Sequence, residues 1–543
     1  MRVARQKHLD TPLDEPLTRV PHHTTMLDSP GNPLSPMRTP LRARRMLVGV
    51  LLATAAWVTP WAQTGTAALP GPRANTSVLP SMGDGGDMTI SAERRLGDRI
   101  AREIFRDPDY IDDPVLADYV DAIWQSLLKA SHQRGEMSDE LQQRFAWQIM
   151  MGRDRSVNAF ALPGGYLGLH LGLIAVVTSR DELASVLAHE LSHVTQRHIA
   201  RLTTKQNAQT PWIIGAMILS ALAASKNTDA ANALLVGGQA LAVQNQLNFS
   251  RDMEREADRV GFGLMADAGF APEGFASMFD KLQTASRLND NGAFPYLRSH
   301  PLTSERIADV QARLPLGARD TRPQVMEHAM FSARARVLSN PSIDALRASL
   351  AQAQAPMLAS QPAALQAGAV YAGALAAAQM RDFAAAATLL TRLQAVTDTH
   401  PVAQRLATLL GIEVALLSGQ TATEIVPASR AEWLLMSQLW IRQGKAAQAA
   451  SGLQSWVALH PRDATAWQML GRANTARGQV LRAVRDEAEA QVALMDYAAA
   501  VDRFKAAQTM ARNTVPIDHI EASIIDTRTR QVQSLLREQA LER

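Results

Sequence analysis

Two histidines one helical turn apart flank a glutamate at His189-Glu190-Leu191-Ser192-His193, inside the stretch SRDELASVLAHELSHVTQRHIA at 179–200. Imidazoles at positions i and i+4 of a rigid helix can reach one zinc ion, and a glutamate beside them can take a proton from a water that the ion activates. That is peptide-hydrolysis chemistry, and it needs a third protein ligand. The 543 residues include no cysteine, so thiolate ligands, thiolate nucleophiles and disulfides are excluded and the ligands must be histidine and carboxylate. The stretch SRDMEREADRVG at 250–261 offers Glu254 and Asp258, one turn apart on a second helix. Glu254 is the candidate third ligand, and Asp258 is placed to accept a hydrogen bond from a ligand imidazole and fix its tautomer. Glu256 competes with Glu254 for the ligand role, and spacing leaves that choice open.

The elements that must position these groups can be read from periodicity. Ser179 with Glu182 predicts a capping box, and Leu183, Leu187, Leu191 and Val194 predict the core-facing stripe of an amphipathic helix. His198, five residues beyond His193, reads as packing or support. The second helix is expected from Phe249 to Gly269, with Met253, Ala257, Val260 and Leu264 inward and Gly269 and Pro272 ending it. Ser91 is expected to cap a helix to about Arg106, and Asp113-Pro114 to open another to about Lys129. Phe145 to Met151 reads as a strand, and Asn158 to Leu167 as a second one ended by Pro163-Gly164-Gly165, with Gly168 to Val177 continuing into a buried helix. A proline near a strand end suits a sheet edge, so Asn158, Ala159, Phe160, Ala161 and Leu162 form a candidate edge for an extended substrate. Further on, Pro301 holds His300 in an extended loop before a helix starting near Thr303. His300 is either a loop anchor or a fourth ligand that displaces the reactive water and holds the site off.

The formal charge of +3 is misleading about partners. Residues 1–45 take eight of the 55 basic and four of the 52 acidic groups, leaving 47 against 48, so the balance gives no argument for nucleic acid. Arg42, Arg44 and Arg45 precede the apolar run Met46 to Val58, with small residues from Ala62 to Ala68, which is the build of a secretory signal peptide with Met37 as the true start. Four segments follow: an N-terminal extension and signal peptide at 1–68, a linker at 69–90, a zinc metallopeptidase domain at 91–316 and a helical repeat domain at 325–543. Pro211 to Ala224 and Ala230 to Val243 are too short to span a bilayer, and peripheral membrane contact is their alternative to burial. In the last segment Trp433, Met436, Ala449, Leu453 and Pro461 fit the tetratricopeptide template, and Trp467, Leu470, Gly471 and Ala483 repeat it 34 positions on. The expected architecture is mainly α: an α-rich zincin-type domain with a small β-sheet, then an α-helical tetratricopeptide solenoid.

NAFALPGGY at 158–166, HELSHVTQRH at 189–198 and SRDMEREADRVG at 250–261, in this order, resemble the peptidase family that includes the CAAX prenyl endopeptidase and the heat-shock membrane protease HtpX. The resemblance is greatest to periplasmic members with a signal peptide, an LP-x-x-G-D segment, here Leu79 to Asp84, and a C-terminal repeat domain. It implies His189, His193 and Glu254 as ligands of one Zn2+ per chain, Glu190 as catalytic base and Asp258 as supporting acid. In that family the first glutamate of E-x-E-A-D is the ligand, which favours Glu254 over Glu256. It further implies a periplasmic location, misassembled outer-membrane β-barrel proteins as substrates, and the barrel-assembly machinery as partner of the repeats. A chaperone or assembly adaptor with latent peptidase activity is the alternative role.

Overall fold

The computed structural model describes residues 88–205, 250–287, 293–314, 325–513 and 516–541. The expected leader, almost all of the linker and both short apolar segments at 211–243 lie outside the described residues.

Helix α1 (Ile90–Arg106) is capped by Thr89, whose hydroxyl accepts from the Ala92 amide, and not by Ser91. Asp113 accepts from the Leu116 amide and Pro114 takes the first position of α2 (Pro114–Gln133), as the sequence requires. That helix continues a turn past Lys129 because Ala130 and Ser131 are still buried. After α3 (Asp139–Arg144) the chain builds a four-stranded sheet from β1 (Tyr110–Ile111), β2 (Gln148–Gly152), β3 (Ala159–Leu162) and β4 (Tyr166–His170), ordered β1-β2-β4-β3. β2 and β4 run parallel, and the two outer pairs are antiparallel.

Here the structure departs from the sequence reading. The Pro163–Gly165 turn joins β3 to β4, and residues expected to enter a helix at Gly168 instead complete β4, leaving only α4 (Leu171–Val176) helical. Every residue of β4 is buried, so its apolar run carries no alternation to mark it as a strand. Gly168 is dictated by packing, since a Cβ there would fall 2.0 Å from the Phe160 ring across the pair. β3 is an edge strand, in keeping with its terminal proline.

After the sheet come α5 (Arg180–Thr195), which packs against β3, and then α6 (His198–Lys205), α7 (Arg251–Asp267), α8 (Glu273–Arg287), α9 (Tyr296–Ser299) and α10 (Ser304–Arg313). The expected stripe of α5 is buried, but so is everything from Glu182 to Thr195; the helix is central rather than amphipathic. Its cap also differs: Ser179 accepts from the Glu182 amide at 3.1 Å, while the Glu182 carboxylate accepts from the Thr178 amide at 2.7 Å instead of from Ser179.

From Met326 onward the described residues are helical with short connections. Helix α11 (Met326–Ser339) is buried on most of its faces between α4 on one side and α13 (Ala363–Gln379) on the other. Its neighbours are α12 (Ile343–Gln354), α14 (Phe383–Thr397) and α15 (Pro401–Ser418). Hairpins follow: α16 (Arg430–Arg442) with α17 (Ala446–Leu459), α18 (Ala464–Ala476) with α19 (Val480–Ala493), and α20 (Tyr497–Asn513) with α21 (His519–Leu541). α16 and α18 start 34 residues apart, as do α17 and α19. Ala449 is fully buried and Ala483 nearly so, and Gly452 lies so close to Trp433 that a Cβ would meet its ring at 2.1 Å. One hydrophobic core runs from Val115 in the first region to Ala473 in the hairpins.

Candidate metal centre

His189 and His193 project from α5 on one side, one turn apart, and their Nε2 atoms are 3.0 Å from each other. α7 crosses this face with Ser250 capping it through the Met253 amide and Gly269, at φ 83°, ending it. It brings Glu254 to 3.5 Å from the Nε2 of each histidine. The crossing is close because Gly261 has no side chain; a Cβ there would lie 3.1 Å from the backbone of Ala188 and His189. Asp258, one turn along α7, places Oδ1 2.9 Å from His189 Nδ1. Glu256 points away, 3.1 Å from His198 and 2.8 Å from Arg201.

His300 enters from the loop after α9, its Nδ1 3.3 Å from His189 Nε2 and 3.1 Å from Glu254 Oε1. Four buried side chains therefore converge, with one atom from each of His189, His193, Glu254 and His300 inside 4.8 Å. Tetrahedral zinc with bonds near 2.1 Å separates its ligand atoms by about 3.4 Å. The observed spacings of 3.0 to 3.5 Å match that arrangement, and nitrogen and carboxylate oxygen are the donors such an ion takes. The residues present fit a metal ion.

The charges around the centre are set by burial and by one another. Burial would lower His189, but hydrogen bonds to Asp258 and Glu254 outweigh it and hold the imidazole at about 9. Burial and the neighbouring His189 push His193 well below its ordinary value. Burial works to raise Glu254, yet His300 and the other imidazoles keep it well below the carboxylate range. Glu190 is fully buried and its carboxyl is pushed up by desolvation, opposed by His300 and His189. One Glu190 oxygen accepts from the Ala161 N–H of β3 at 2.9 Å, and the other lies 3.4 Å from His300. Elsewhere along this edge the Phe160 ring meets His170 edge-on, 5.9 Å between centroids, and the Asn158 carbonyl accepts from the His170 amide at 3.0 Å.

Two residues gain roles that spacing along one helix did not give them. α5 stops at Thr195 and Arg197 adopts φ 52°, so α6 starts in a new direction and swings His198 back until its Nδ1 is 2.9 Å from His193 Nδ1. Arg306, capped into α10 by Thr303, forks onto Asp258 at 2.6 and 2.8 Å, reaches Glu254 at 2.8 Å and donates to the Pro301 carbonyl at 2.9 Å. The signal for Arg306 was its place after His300-Pro301. Tyr296 is also drawn in, its ring stacked on His300 at 4.6 Å between centroids.

A helix bearing H-E-x-x-H, a crossing helix bearing the carboxylate and an edge strand against the glutamate define a metallopeptidase. Residues 118–314 match the family described as Peptidase family M48. Over 412 residues the chain is 31% identical to a protein of Vibrio cholerae named putative β-barrel assembly-enhancing protease, covering 74% of this chain and 81% of that one. The β-barrel assembly-enhancing protease of Escherichia coli K12 is 27% identical over 85% of this chain and 92% of its own length. The mitochondrial metalloendopeptidase OMA1 of Schizosaccharomyces pombe is 28% identical over 42% of this chain and 63% of its own. The chain belongs to peptidase family M48.

Proposed function

We propose that this metalloprotease is a periplasmic, zinc-dependent endopeptidase that degrades outer-membrane β-barrel proteins stalled in assembly. The observation that carries the hydrolytic part is the convergence of His189, His193 and Glu254 beside the buried Glu190. In this reading those three are the ligands of one zinc ion, Glu190 is the general base and Asp258 fixes the His189 tautomer. Zinc, when bound, polarises the scissile carbonyl and acidifies a water. Glu190, its affinity for a proton raised by burial, takes the proton and returns it to the leaving amine. The strand edge from Asn158 to Leu162 holds the substrate extended.

The client class and an assembly-machinery partner rest on the names of the Vibrio and Escherichia relatives, whose lengths this chain largely spans, and the periplasmic location on the secretory build of residues 42–68. We assign residues 91–316 to the peptidase domain and 325–543 to a tetratricopeptide solenoid, which the 34-residue spacing of its hairpins supports. We read residues 1–68 as an N-terminal extension followed by a secretory signal peptide.

The test pairs zinc content with one variant. The purified protein carries one zinc and cleaves an unfolded outer-membrane protein, while Glu190→Gln keeps the zinc and loses roughly 100-fold or more of the activity. Absence of zinc, or retained cleavage, sinks the reading.

A second reading has its own support. His300 Nδ1 lies at ligand distance, and the Ala161 N–H already occupies Glu190, which suits a latent peptidase acting chiefly as chaperone or assembly adaptor. In that case Glu190→Gln retains the effect on barrel assembly. His300→Ala should raise basal proteolysis several-fold if His300 closes the fourth position; unchanged proteolysis shows that it does not.

A further inference from the structure

The sheet has a second edge, remote from the metal centre. β1 is two residues long and pairs only with Met151 and Gly152, so among the described residues no strand pairs with Gln148, Ile149 or Met150 on that side. The chain that would have continued β1 turns away: Asp112 is held by Arg430 and Thr465, and Asp113 caps α2. The carbonyl of Trp147, just before the open stretch, is taken by the Trp124 indole at 3.0 Å. Gln148 to Met150 are therefore left as a bare strand edge, which is a template for another strand.

That edge faces a cleft of about 1170 Å³ between α2, β1 and β2 on one wall and the α17–α18 turn on the other. No residue of β3 or β4 lines it, which places it on the β1 side of the sheet. The helical hairpins arch over it and touch the first region at both ends. At one end Arg430 forks onto Asp112 and Asp463; at the other Arg106 pairs with Asp496, and Met495 meets the Tyr166 hydroxyl. A second cavity of about 420 Å³ continues it, sharing Gln148, Pro461, Arg462 and Ala493.

The lining identifies the occupant. Tyr110, Trp147, Trp456 and Leu459 offer apolar surface, and Leu459 is 79% exposed, which is unusual for a large aliphatic side chain in a recess. Asp112, Asp118, Asp121 and Asp463 supply four carboxylates against the guanidinium groups of Arg430 and Arg462. An extended segment with apolar side chains at alternate positions and lysine or arginine among the others matches edge, walls and charge together.

We propose that this cleft binds a cationic, alternating strand segment of an unfolded polypeptide by addition to Gln148–Met150, as a holding site separate from the edge at Ala159–Leu162. The inference deepens the proposed function by naming a substrate feature, and its test needs no proteolysis. Because the chain has no cysteine, Leu459→Cys introduces a single thiol in the cleft and Leu417→Cys, at an exposed position of α15, a single thiol outside it. Both are made in the Glu190→Gln protein and labelled with a bulky maleimide. The probes are fluorescein-labelled ten-residue peptides alternating valine and threonine, one with two lysines and one with two glutamates, followed by fluorescence anisotropy. We expect the lysine peptide to bind at least five-fold tighter than the glutamate peptide. Labelling at 459 should weaken it at least five-fold, and labelling at 417 should leave it unchanged. No binding, no lysine preference, or equal effects of the two labels overturns the inference. Failure of the zinc and Glu190→Gln assay would overturn the peptidase mechanism and leave this result standing.

Discussion

Arg306 is 3% exposed and carries the only guanidinium among the described residues that touches both Glu254 and Asp258. It holds two carboxylates apart from each other's repulsion and fixes the direction from which each meets its histidine. Its second tie, to the Pro301 carbonyl, anchors the loop that carries His300. Removing one partner of a buried ion pair typically costs about 3–5 kcal/mol, since the remaining charge stays desolvated. Arg306→Ala should therefore lower both thermal stability and zinc affinity, the latter by roughly 10- to 100-fold, as for other groups that orient a ligand. Zinc titration against a competing chelator checks this, and unchanged affinity would show that Glu254 and Asp258 are positioned by α7 alone. Arg306→Lys retains the charge without the planar fork and should recover only part of the loss.

At the scale of elements, the centre depends on how closely α5 and α7 cross. Gly261 is seven residues from Glu254, and nothing about a lone glycine in a helix marks it as important; a helical glycine ordinarily costs about 1 kcal/mol relative to alanine. Its reason is the backbone of Ala188 and His189 opposite, 3.1 Å from where a Cβ would stand. Gly261→Val should force the helices apart and weaken zinc binding at least ten-fold while far-ultraviolet circular dichroism stays helical. Intact zinc affinity in that variant would mean that the crossing relaxes elsewhere. The sheet illustrates the opposite limit of legibility. Both flanks of the Pro163–Gly165 turn were visible as apolar segments, but β4 from Gly168 onward passed for the start of a helix because burial on both faces erases the alternation by which a strand is read.

For the molecule as a whole, α11 is the joint. Arg334, 3% exposed, forks onto Asp113 at 2.8 and 2.6 Å and onto Glu413 at 2.8 and 3.2 Å, and donates to the Tyr371 hydroxyl at 3.1 Å. One cation thus links the cap of α2, a helix that runs into the region matched to M48, with α13 and α15 beyond it. On the same helix His328 joins the Tyr119 hydroxyl at 2.6 Å to the Val177 carbonyl at 2.9 Å. Arg334→Met leaves the buried Asp113 and the half-buried Glu413 without their cation and should cost about 3–5 kcal/mol. Because the core is continuous across this joint, calorimetry should show the unfolding transition moving down and broadening, or dividing in two, with zinc content preserved. A single unshifted transition would show that the apolar packing of α11 suffices without the ion pairs.

What the sequence determined by itself was everything that depends on separation along one helix. His189, Glu190 and His193 are neighbours because 1.5 Å of rise and 3.6 residues per turn make them so, and Glu254 and Asp258 share a face for the same reason. The 34-residue period of the hairpins is likewise written in Trp433, Trp467, Ala449 and Ala483. What only the tertiary structure decided was which groups from different elements meet. Glu254 rather than Glu256 faces the histidines, His198 returns to His193 after the break at Arg197, Arg306 closes on both carboxylates, and His300 completes the cluster. Those contacts bridge up to 111 positions in the chain, and a side chain's reach of a few ångströms is then set by the angle and spacing at which helices pack, which local periodicity does not encode.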